Sequence, residues 1–313
     1  MVDGCGRAID YLRLSVTDLC NFRCRYCMPG DGVLKRPHGE ILSVEETLEI
    51  AAACVACGIK KIRLTGGEPL VRRGILDICR GLSALSGVEE LCLTTNGSFL
   101  TELAEPLRTA GVKRLNISLD TLRPDRFSAM TRRGALADVW QGIAAAEAAG
   151  FTDLKLDTVL IGGFNDDEIS DFVELTRHKP WAVRFIELMP MGECAAWDQA
   201  CFLKGDTILS CCPTLRELPP DGVARRFQLP GAVGTVGLIS PISHEFCKDC
   251  RRIRVTADGK LKGCLHSADE LSIRGLHGAE LETAIRQGIL QKPERHHLLG
   301  GSDTPRNMNE IGG

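Results

Sequence analysis

The stretch TDLCNFRCRYCMPG, residues 17–30, holds three cysteines in the spacing C-x3-C-x2-C. It follows YLRLSV at 11–16, a short apolar run with strand character. A structural zinc site or an ordinary iron–sulfur cluster takes four protein ligands, whereas Cys20, Cys24 and Cys27 supply three. Loops at the ends of parallel strands carry active sites in α/β folds. The spacing therefore indicates a metal centre with one coordination position left open.

Short strand-like runs alternate with amphipathic helical segments from residue 11 to about residue 190. The expected strands are 11–16, 59–65, 90–95, 112–119, 154–161 and 182–189. The expected helices are 43–58, 73–86, 99–110, 124–131, 136–149, 166–178 and, near the C-terminus, 276–290. Repeated βα units imply a parallel sheet covered by helices. Six units fall short of the eight of a closed barrel, so the pattern alone leaves a partial barrel or a doubly wound sheet open.

A second cysteine triplet lies beyond the point where this alternation stops. It consists of Cys247, Cys250 and Cys264. The segment 251–265 predicts a β-hairpin that turns at Asp258-Gly259, which carries Cys264 back towards the other two. If each triplet holds a [4Fe–4S] cluster, each leaves one iron free to bind a ligand. The alternative for the second triplet is structural zinc, completed by His244 or His266.

Composition limits the classes of function. The 313 residues are 44% hydrophobic and carry a net charge of −3. A broad basic surface that binds nucleic acid or membranes is therefore not expected, and an anionic ligand requires a local cluster of basic residues. No apolar run approaches a membrane span, and the N-terminus lacks a signal-peptide core, which favours a reducing cytoplasm. There, clustered cysteines bind metal or carry redox chemistry. The other nine of the fifteen cysteines are interpreted as core or isolated thiols: Cys5, Cys54, Cys57, Cys79, Cys92, Cys194, Cys201, Cys211 and Cys212.

Two motifs in register resemble the radical S-adenosylmethionine enzymes. One is the first cysteine triplet, and the other is Thr65-Gly66-Gly67-Glu68-Pro69 after the second strand. From about residue 9 to the C-terminus the chain further resembles the GTP 3′,8-cyclase family of molybdenum cofactor biosynthesis. That resemblance rests on Cys247-Lys-Asp-Cys250-Arg-Arg252-Ile-Arg254 with Cys264, Thr94-Thr95-Asn96-Gly97, Asn116-Ile-Ser118-Leu-Asp120 and the terminal Gly312-Gly313.

The resemblance implies an α/β fold, a partial (β/α)6 TIM-type barrel with a C-terminal region that carries a second iron–sulfur cluster and closes the open side of the barrel. The expected boundaries are 1–210 for the barrel and 211–313 for the C-terminal region with its Gly-Gly tail. The implied cofactors are two [4Fe–4S] clusters and S-adenosylmethionine.

The resemblance also implies a role for particular residues. The first cluster is held by Cys20, Cys24 and Cys27, and the second by Cys247, Cys250 and Cys264. Tyr26, Gly67, Ser118 and Met189 line S-adenosylmethionine. The residues that position GTP are Arg13, Arg63, Thr94, Lys155, Arg252 and Arg254. The catalytic set is the first triplet with Arg252, Arg254, Gly312 and Gly313. Arginine forks and a lysine suit the phosphate oxygens of GTP, in agreement with this assignment.

The implied reaction is the radical cyclisation of GTP to 3′,8-cyclo-7,8-dihydro-GTP. Its partners are GTP, an external electron donor and the downstream cyclic pyranopterin monophosphate synthase. A homodimer is left open, and binding to nucleic acid or to a membrane is not expected. Two rival functions remain. One is another radical enzyme with an auxiliary cluster that acts on a peptide. The other is an electron-transfer iron–sulfur protein, which two complete four-cysteine sets would favour.

Overall fold

The computed structural model describes residues 1–33, 36–296 and 304–312. The strands are β1 (Tyr11–Ser15), β2 (Lys61–Thr65), β3 (Glu90–Thr95), β4 (Arg114–Ser118), β5 (Lys155–Leu160), β6 (Ala182–Glu187), β7 (Arg216–Asp221), β8 (Ala224–Gln228), β9 (Thr235–Ile239), β10 (Arg252–Val255), β11 (Lys260–Lys262) and β12 (Leu271–Ser272). The helices are α1 (Val44–Ala56), α2 (Ile75–Ala84), α3 (Leu100–Thr109), α4 (Pro124–Thr131), α5 (Leu136–Ala148), α6 (Ile169–His178), α7 (Thr207–Cys211) and α8 (Gly278–Leu290).

All twelve strands form one sheet in the order β12-β11-β10-β1-β2-β3-β4-β5-β6-β9-β8-β7. Neighbours from β10 through β9 in this order are parallel, and the hairpin strands at both edges are antiparallel. From β1 to β6 the spatial order follows the chain order, as in a barrel, whereas doubly wound sheets reverse direction. The partial-barrel prediction is confirmed, and the doubly wound alternative is wrong.

The C-terminal region extends the barrel sheet on both sides. Strand β9 pairs with β6, and β10 pairs with β1, in register from Tyr11 opposite Arg252 to Leu14 opposite Val255. The predicted hairpin is confirmed as β10 and β11, with Gly259 in the left-handed region at φ +78°. The register therefore sets Arg254 directly beside Arg13, and so brings a C-terminal arginine into the barrel interior.

Local sequence signals explain the start of α1, and a local turn shifts the start of α6. The capping box of Ser43 and Glu46 starts α1 as the sequence predicts. Helix α6 begins at Ile169 rather than 166, because residues 166–168 form a separate 3-10 turn. There the Glu168 carboxylate accepts hydrogen bonds from the Thr121 hydroxyl and the Leu122 amide. That side chain secures the loop after β4.

The hydrophobic core lies between the sheet and its helices. It contains Cys54, Cys57 and Cys79, and Cys92 is also fully buried. The interpretation of Cys54 and Cys57 as core thiols is therefore confirmed, and Cys79 and Cys92, predicted only as isolated, are core residues as well. Among the described residues, no helix is long and apolar enough to cross a membrane.

Candidate active site

The first cysteine triplet lies in the loop after β1. The loop turns back at a hydrogen bond of 2.9 Å from the Cys27 amide to the Cys24 carbonyl. Burial raises the pKa of Cys20 to about 11 and that of Cys27 to about 12, and burial, the charge of Cys27 and, to a smaller extent, those of Asp120 and Cys20 raise the pKa of Cys24. Ionisation of Cys20 thus disfavours that of Cys27, and ionisation of either disfavours that of Cys24. A cationic iron centre relieves this repulsion, so the donor set fits a cluster held by three thiolates.

The Gly-Gly-Glu-Pro loop after β2 packs directly on the cysteine loop. The Gly67 amide donates to the Thr17 carbonyl at 2.8 Å, and the Glu68 amide donates to the Leu19 carbonyl at 2.8 Å. A Cβ on Gly67 would lie 2.4 Å from the Leu19 carbonyl oxygen. Only glycine permits this approach, which sets Gly67 next to the triplet.

Two of the other predicted cofactor residues, Tyr26 and Ser118, lie beside the same loop. Tyr26 and Ser118 line one small cavity with Cys24, and the Tyr26 hydroxyl donates to the Asp120 carboxylate at 2.8 Å. Burial raises the pKa of Asp120 to about 6. Met189 lies just beyond β6, and its carbonyl accepts from the Cys194 thiol at 3.1 Å.

The second triplet flanks β10 and β11. Cys247 opens a short 3-10 turn that ends just before Cys250, and Cys264 follows β11 by two residues. Burial raises the pKa of Cys247, and the charges of Cys264 and Cys250 raise it further. For Cys250, burial also acts to raise the pKa, but Arg252 and Lys292 outweigh it and lower the value to about 7. A thiolate present near neutral pH is the metal-binding form, so this set also fits a cluster.

The two histidines considered as zinc ligands differ in position. His244 is exposed, 3.7 Å from the Asp206 carboxylate. His266 is buried beside the His296 ring, and burial together with His296 lowers its pKa to about 3. A set that the sequence did not suggest also forms around Cys247, where ligand atoms of Glu245 and His296 come within 4.8 Å of its sulfur and of one another.

Five of the six predicted substrate residues lie close to one another beside β1. The Arg63 guanidinium donates to the Tyr11 hydroxyl at 2.6 Å, to Asn116 Oδ1 at 2.7 Å and to the Thr94 hydroxyl at 3.3 Å. Burial lowers the pKa of Arg13 to about 10, and the positive charges of Arg63 and Arg252 contribute. Burial also lowers the pKa of Arg254, with contributions from Arg13 and Arg252. Crowded guanidinium groups of this kind favour an anionic ligand.

The C-terminal tail enters this cluster. The Gly312 carbonyl accepts from Arg254 and Arg13, and the Ile311 carbonyl accepts from Arg254 at 3.3 Å. Three residues earlier, the backbone amide of Asn309 acts to lower the pKa of Cys27, and the Asn309 side-chain amide donates to the Asp18 carbonyl at 2.9 Å. Gly312 has a φ of +63°, and a Cβ there would lie 2.1 Å from the Thr65 hydroxyl oxygen. Gly313, the other predicted tail residue, lies outside the described residues.

Lys155 lies at a second basic group, at the start of β5. It forms an ion pair with Asp221 and lines a cavity of about 240 Å³ with three arginines. The arginines are Arg114, Arg184 and Arg226. Burial lowers the pKa of Lys155, as does the positive charge of Arg184.

Arg184 was not expected at the site. It forms two hydrogen bonds of 2.7 Å to Asp157, and Asp157 accepts another from Asn116 at 2.8 Å. Asn116 in turn accepts from Arg63, so polar side chains connect the two basic groups across the barrel. The signal in the sequence is a charged residue in the middle of the apolar strand AVRFIE.

Two family models match the chain. The model of the Radical SAM superfamily matches residues 14–176, and that of Molybdenum Cofactor Synthesis C matches residues 181–298. Among curated proteins, the GTP 3′,8-cyclase of Peptoclostridium acidaminophilum is 49% identical, covering 100% of this chain and 98% of the relative. The GTP 3′,8-cyclase of Geobacter sulfurreducens is also 49% identical, with 100% and 99% covered. The chain belongs to the GTP 3′,8-cyclase family of the radical SAM superfamily.

Solved structures agree on the fold. SuiB of Streptococcus suis bound to the precursor peptide SuiA superimposes with a TM-score of 0.61 at 12% identity, covering 96% of this chain and 75% of that one. SuiB bound to S-adenosylmethionine gives a TM-score of 0.60 at 12% identity, with 94% and 65% covered. At this identity the likeness shows a shared radical SAM architecture and nothing about substrate.

Proposed function

We propose that the protein converts GTP to 3′,8-cyclo-7,8-dihydro-GTP, the first step of molybdenum cofactor biosynthesis. The observation that supports this proposal most directly is the path of the C-terminal tail between the two cysteine triplets. The backbone amide of Asn309 acts to lower the pKa of Cys27, and the Gly312 carbonyl accepts a hydrogen bond from Arg254, whose charge is close to Cys250 and Cys264. Three extended residues span at most about 11 Å. This path supports a substrate held between the two candidate cluster sites, next to Arg254 and Arg13.

The cofactor chemistry fits this arrangement. A [4Fe–4S] cluster with S-adenosylmethionine supplies, when bound, the radical hydrogen abstraction that protein side chains do not provide. Cys20, Cys24 and Cys27 would hold that cluster. Tyr26, Gly67, Ser118 and Met189 would hold S-adenosylmethionine beside it. Both carboxylate oxygens of Asp120 already accept hydrogen bonds, one from the Tyr26 hydroxyl and one from the Val159 amide, so this side chain fixes the tyrosine.

The remaining residues would orient the nucleotide. Cys247, Cys250 and Cys264 would hold a second cluster facing the guanine, next to Arg252 and Arg254. Arg13, Arg63, Thr94 and Lys155 present donors to the rest of GTP. Guanidinium groups bind phosphate and carbonyl oxygens through paired N–H donors, which limits the poses of the ribose. Because a displacement of about 1 Å costs on the order of 100-fold in rate, this orientation determines which ribose hydrogen reacts.

The proposal extends to location, organisation and partners. The protein acts in the cytoplasm, with the barrel at 1–210 and the C-terminal region at 211–313 as its two functional units. It takes electrons from an external donor and passes its product to a cyclic pyranopterin monophosphate synthase. A homodimer is compatible with this scheme and is not needed for it.

The test is anaerobic incubation of the iron-loaded protein with GTP, S-adenosylmethionine and a reductant, followed by mass spectrometry. We expect 5′-deoxyadenosine and a cyclised nucleotide in similar amounts. The Cys24→Ala variant should form neither product. Cofactor cleavage that leaves GTP unchanged, under conditions in which the nucleotide binds, would contradict the proposal.

A further inference from the structure

The sulfur of Cys20 has a polar neighbourhood that the proposed catalytic roles do not use. Asn21, Asn96 and Ser98 form a closed ring of hydrogen bonds beside it, here called the amide ring. Asn96 Nδ2 donates to Asn21 Oδ1 at 2.8 Å, Asn21 Nδ2 donates to the Ser98 hydroxyl at 2.9 Å, and that hydroxyl donates to Asn96 Oδ1 at 2.7 Å. Each member therefore fixes the orientation of the next.

The ring aims a spare donor at Cys20. A primary amide carries two N–H groups, and Asn96 uses one on Asn21. The same nitrogen lies 4.0 Å from Cys20 Sγ, which is a long N–H···S contact for its second N–H group. The backbone amide of Phe22 donates to that sulfur at 3.3 Å. Cys20 thus has one donor from its own loop and a second from the loop after β3.

A buried carboxylate holds Asn96 in place. One oxygen of Glu68 accepts from the backbone amide of Asn96 at 2.7 Å. The other accepts from the Thr95 hydroxyl at 2.8 Å and from the backbone amide of Leu70 at 3.0 Å. Glu68 is 1% exposed. Its loop is tied to the cysteine loop through the Leu19 carbonyl. The loops after β1, β2 and β3 are therefore linked around Cys20.

We propose that Asn96 is a positioning residue that raises the reduction potential of the first cluster through a hydrogen bond to the Cys20 sulfur. The inference rests on the proposed function only in that the first triplet holds a [4Fe–4S] cluster. Hydrogen bonds to ligand sulfurs are one of the means by which proteins set cluster potentials. Reduction adds one negative charge to the cluster, so an N–H donor stabilises the reduced form more than the oxidised form. Removal of the donor makes reduction harder.

The test compares Asn96→Leu with Asn96→Asp in the anaerobically loaded protein. Both remove the amide donor, and aspartate keeps the acceptor used by Ser98. The first cluster is followed in a redox titration by electron paramagnetic resonance, and the signal that changes on adding S-adenosylmethionine identifies it. At a fixed potential we expect its reduced-to-oxidised ratio to fall about tenfold in Asn96→Leu, which corresponds to about 59 mV for one electron. The fall should be larger in Asn96→Asp, because a negative charge is added.

Ser98→Ala is the matched control. It opens the amide ring but leaves the Asn96 N–H groups, so the ratio should change less than threefold. An unchanged potential in Asn96→Leu with full iron content would overturn the proposal. So would an equal shift in Ser98→Ala, or loss of the first cluster from both Asn96 variants while the control stays loaded. None of these readouts involves GTP turnover, so failure of the proposed function is seen separately.

Discussion

The Gly312 carbonyl accepts hydrogen bonds from Arg254 at 2.7 Å and from Arg13 at 3.1 Å. Two arginines assigned to the substrate are thus engaged by the main chain of the protein's own tail. A carbonyl oxygen carries only a partial charge and offsets the crowded guanidinium groups incompletely. The Gly312 carbonyl therefore holds both guanidinium groups towards one point of the site.

The first prediction concerns this tail. Gly312→Ala places a methyl group on the Thr65 hydroxyl in a left-handed backbone conformation, so the carbonyl must move away from both arginines. We expect GTP turnover to fall roughly 100-fold while iron content is unchanged. Adding Thr65→Ala, which removes the obstructing oxygen, should restore part of the activity. Full activity in Gly312→Ala alone would show that the position of the carbonyl is not required.

The second prediction separates substrate binding from cofactor cleavage. Arg252 stands over the Phe246 ring at 5.3 Å and next to Cys250, so Arg252→Ala should reduce GTP turnover more than uncoupled cleavage of S-adenosylmethionine. Arg251→Ala is the matched control, since that side chain is 61% exposed and pairs with Asp10 on the surface. Equal losses of both reactions in Arg252→Ala would argue against a substrate role.

The third prediction concerns metal content. The anaerobically reconstituted protein should bind about eight irons, four for each [4Fe–4S] cluster. Cys24→Ala and Cys264→Ala should each lose about half of them, because each removes one of three ligands from a different site. Cys211→Ala, which changes an exposed thiol, should lose none. About four irons accompanied by zinc in the parent protein would contradict the two-cluster assignment.

The fourth prediction concerns the cavity around Lys155. Asp221, at the end of β7, pairs with this lysine and competes with any anion that enters. Asp221→Asn should therefore tighten GTP binding roughly fivefold, the effect of about 1 kcal/mol expected when a partly exposed ion pair is removed. Equilibrium dialysis with GTP measures it. Asp77→Asn, which removes an exposed pair with Arg80, is the control and should leave the dissociation constant unchanged. Weaker GTP binding in Asp221→Asn would place the phosphates elsewhere.

Sequence alone predicts the parts of this molecule that depend on local signals. The six barrel strands and their helices lie within three residues of the expected ends, because each βα unit carries its own apolar period and end signals. The cysteine triplets follow from spacing in the same way. A turn at Asp258-Gly259 sufficed to predict β10 and β11, because the hairpin is also local.

Long-range pairing accounts for what the sequence did not predict. Nothing near Arg252 indicates that β10 lies beside β1, or that β9 lies beside β6. Arg184 and Asn96 become site residues only when neighbouring strands set them beside Asp157 and Cys20. Their signal, a polar residue inside or just after a buried strand, is common for structural reasons alone. Only the fold shows whether such a polar residue has a structural role or belongs to the site.

The placement of β9 and β10 on opposite sides of the barrel strands has a consequence for synthesis on the ribosome. A nascent chain that has reached residue 210 has made β1 and β6, but their outer edges lack the partners that β10 and β9 later provide. Unpaired edges of this kind template aggregation. A further 45 residues or so must be added before β10 can pair with β1, so a chain that stops at residue 210 would expose two sheet edges that the complete sheet covers.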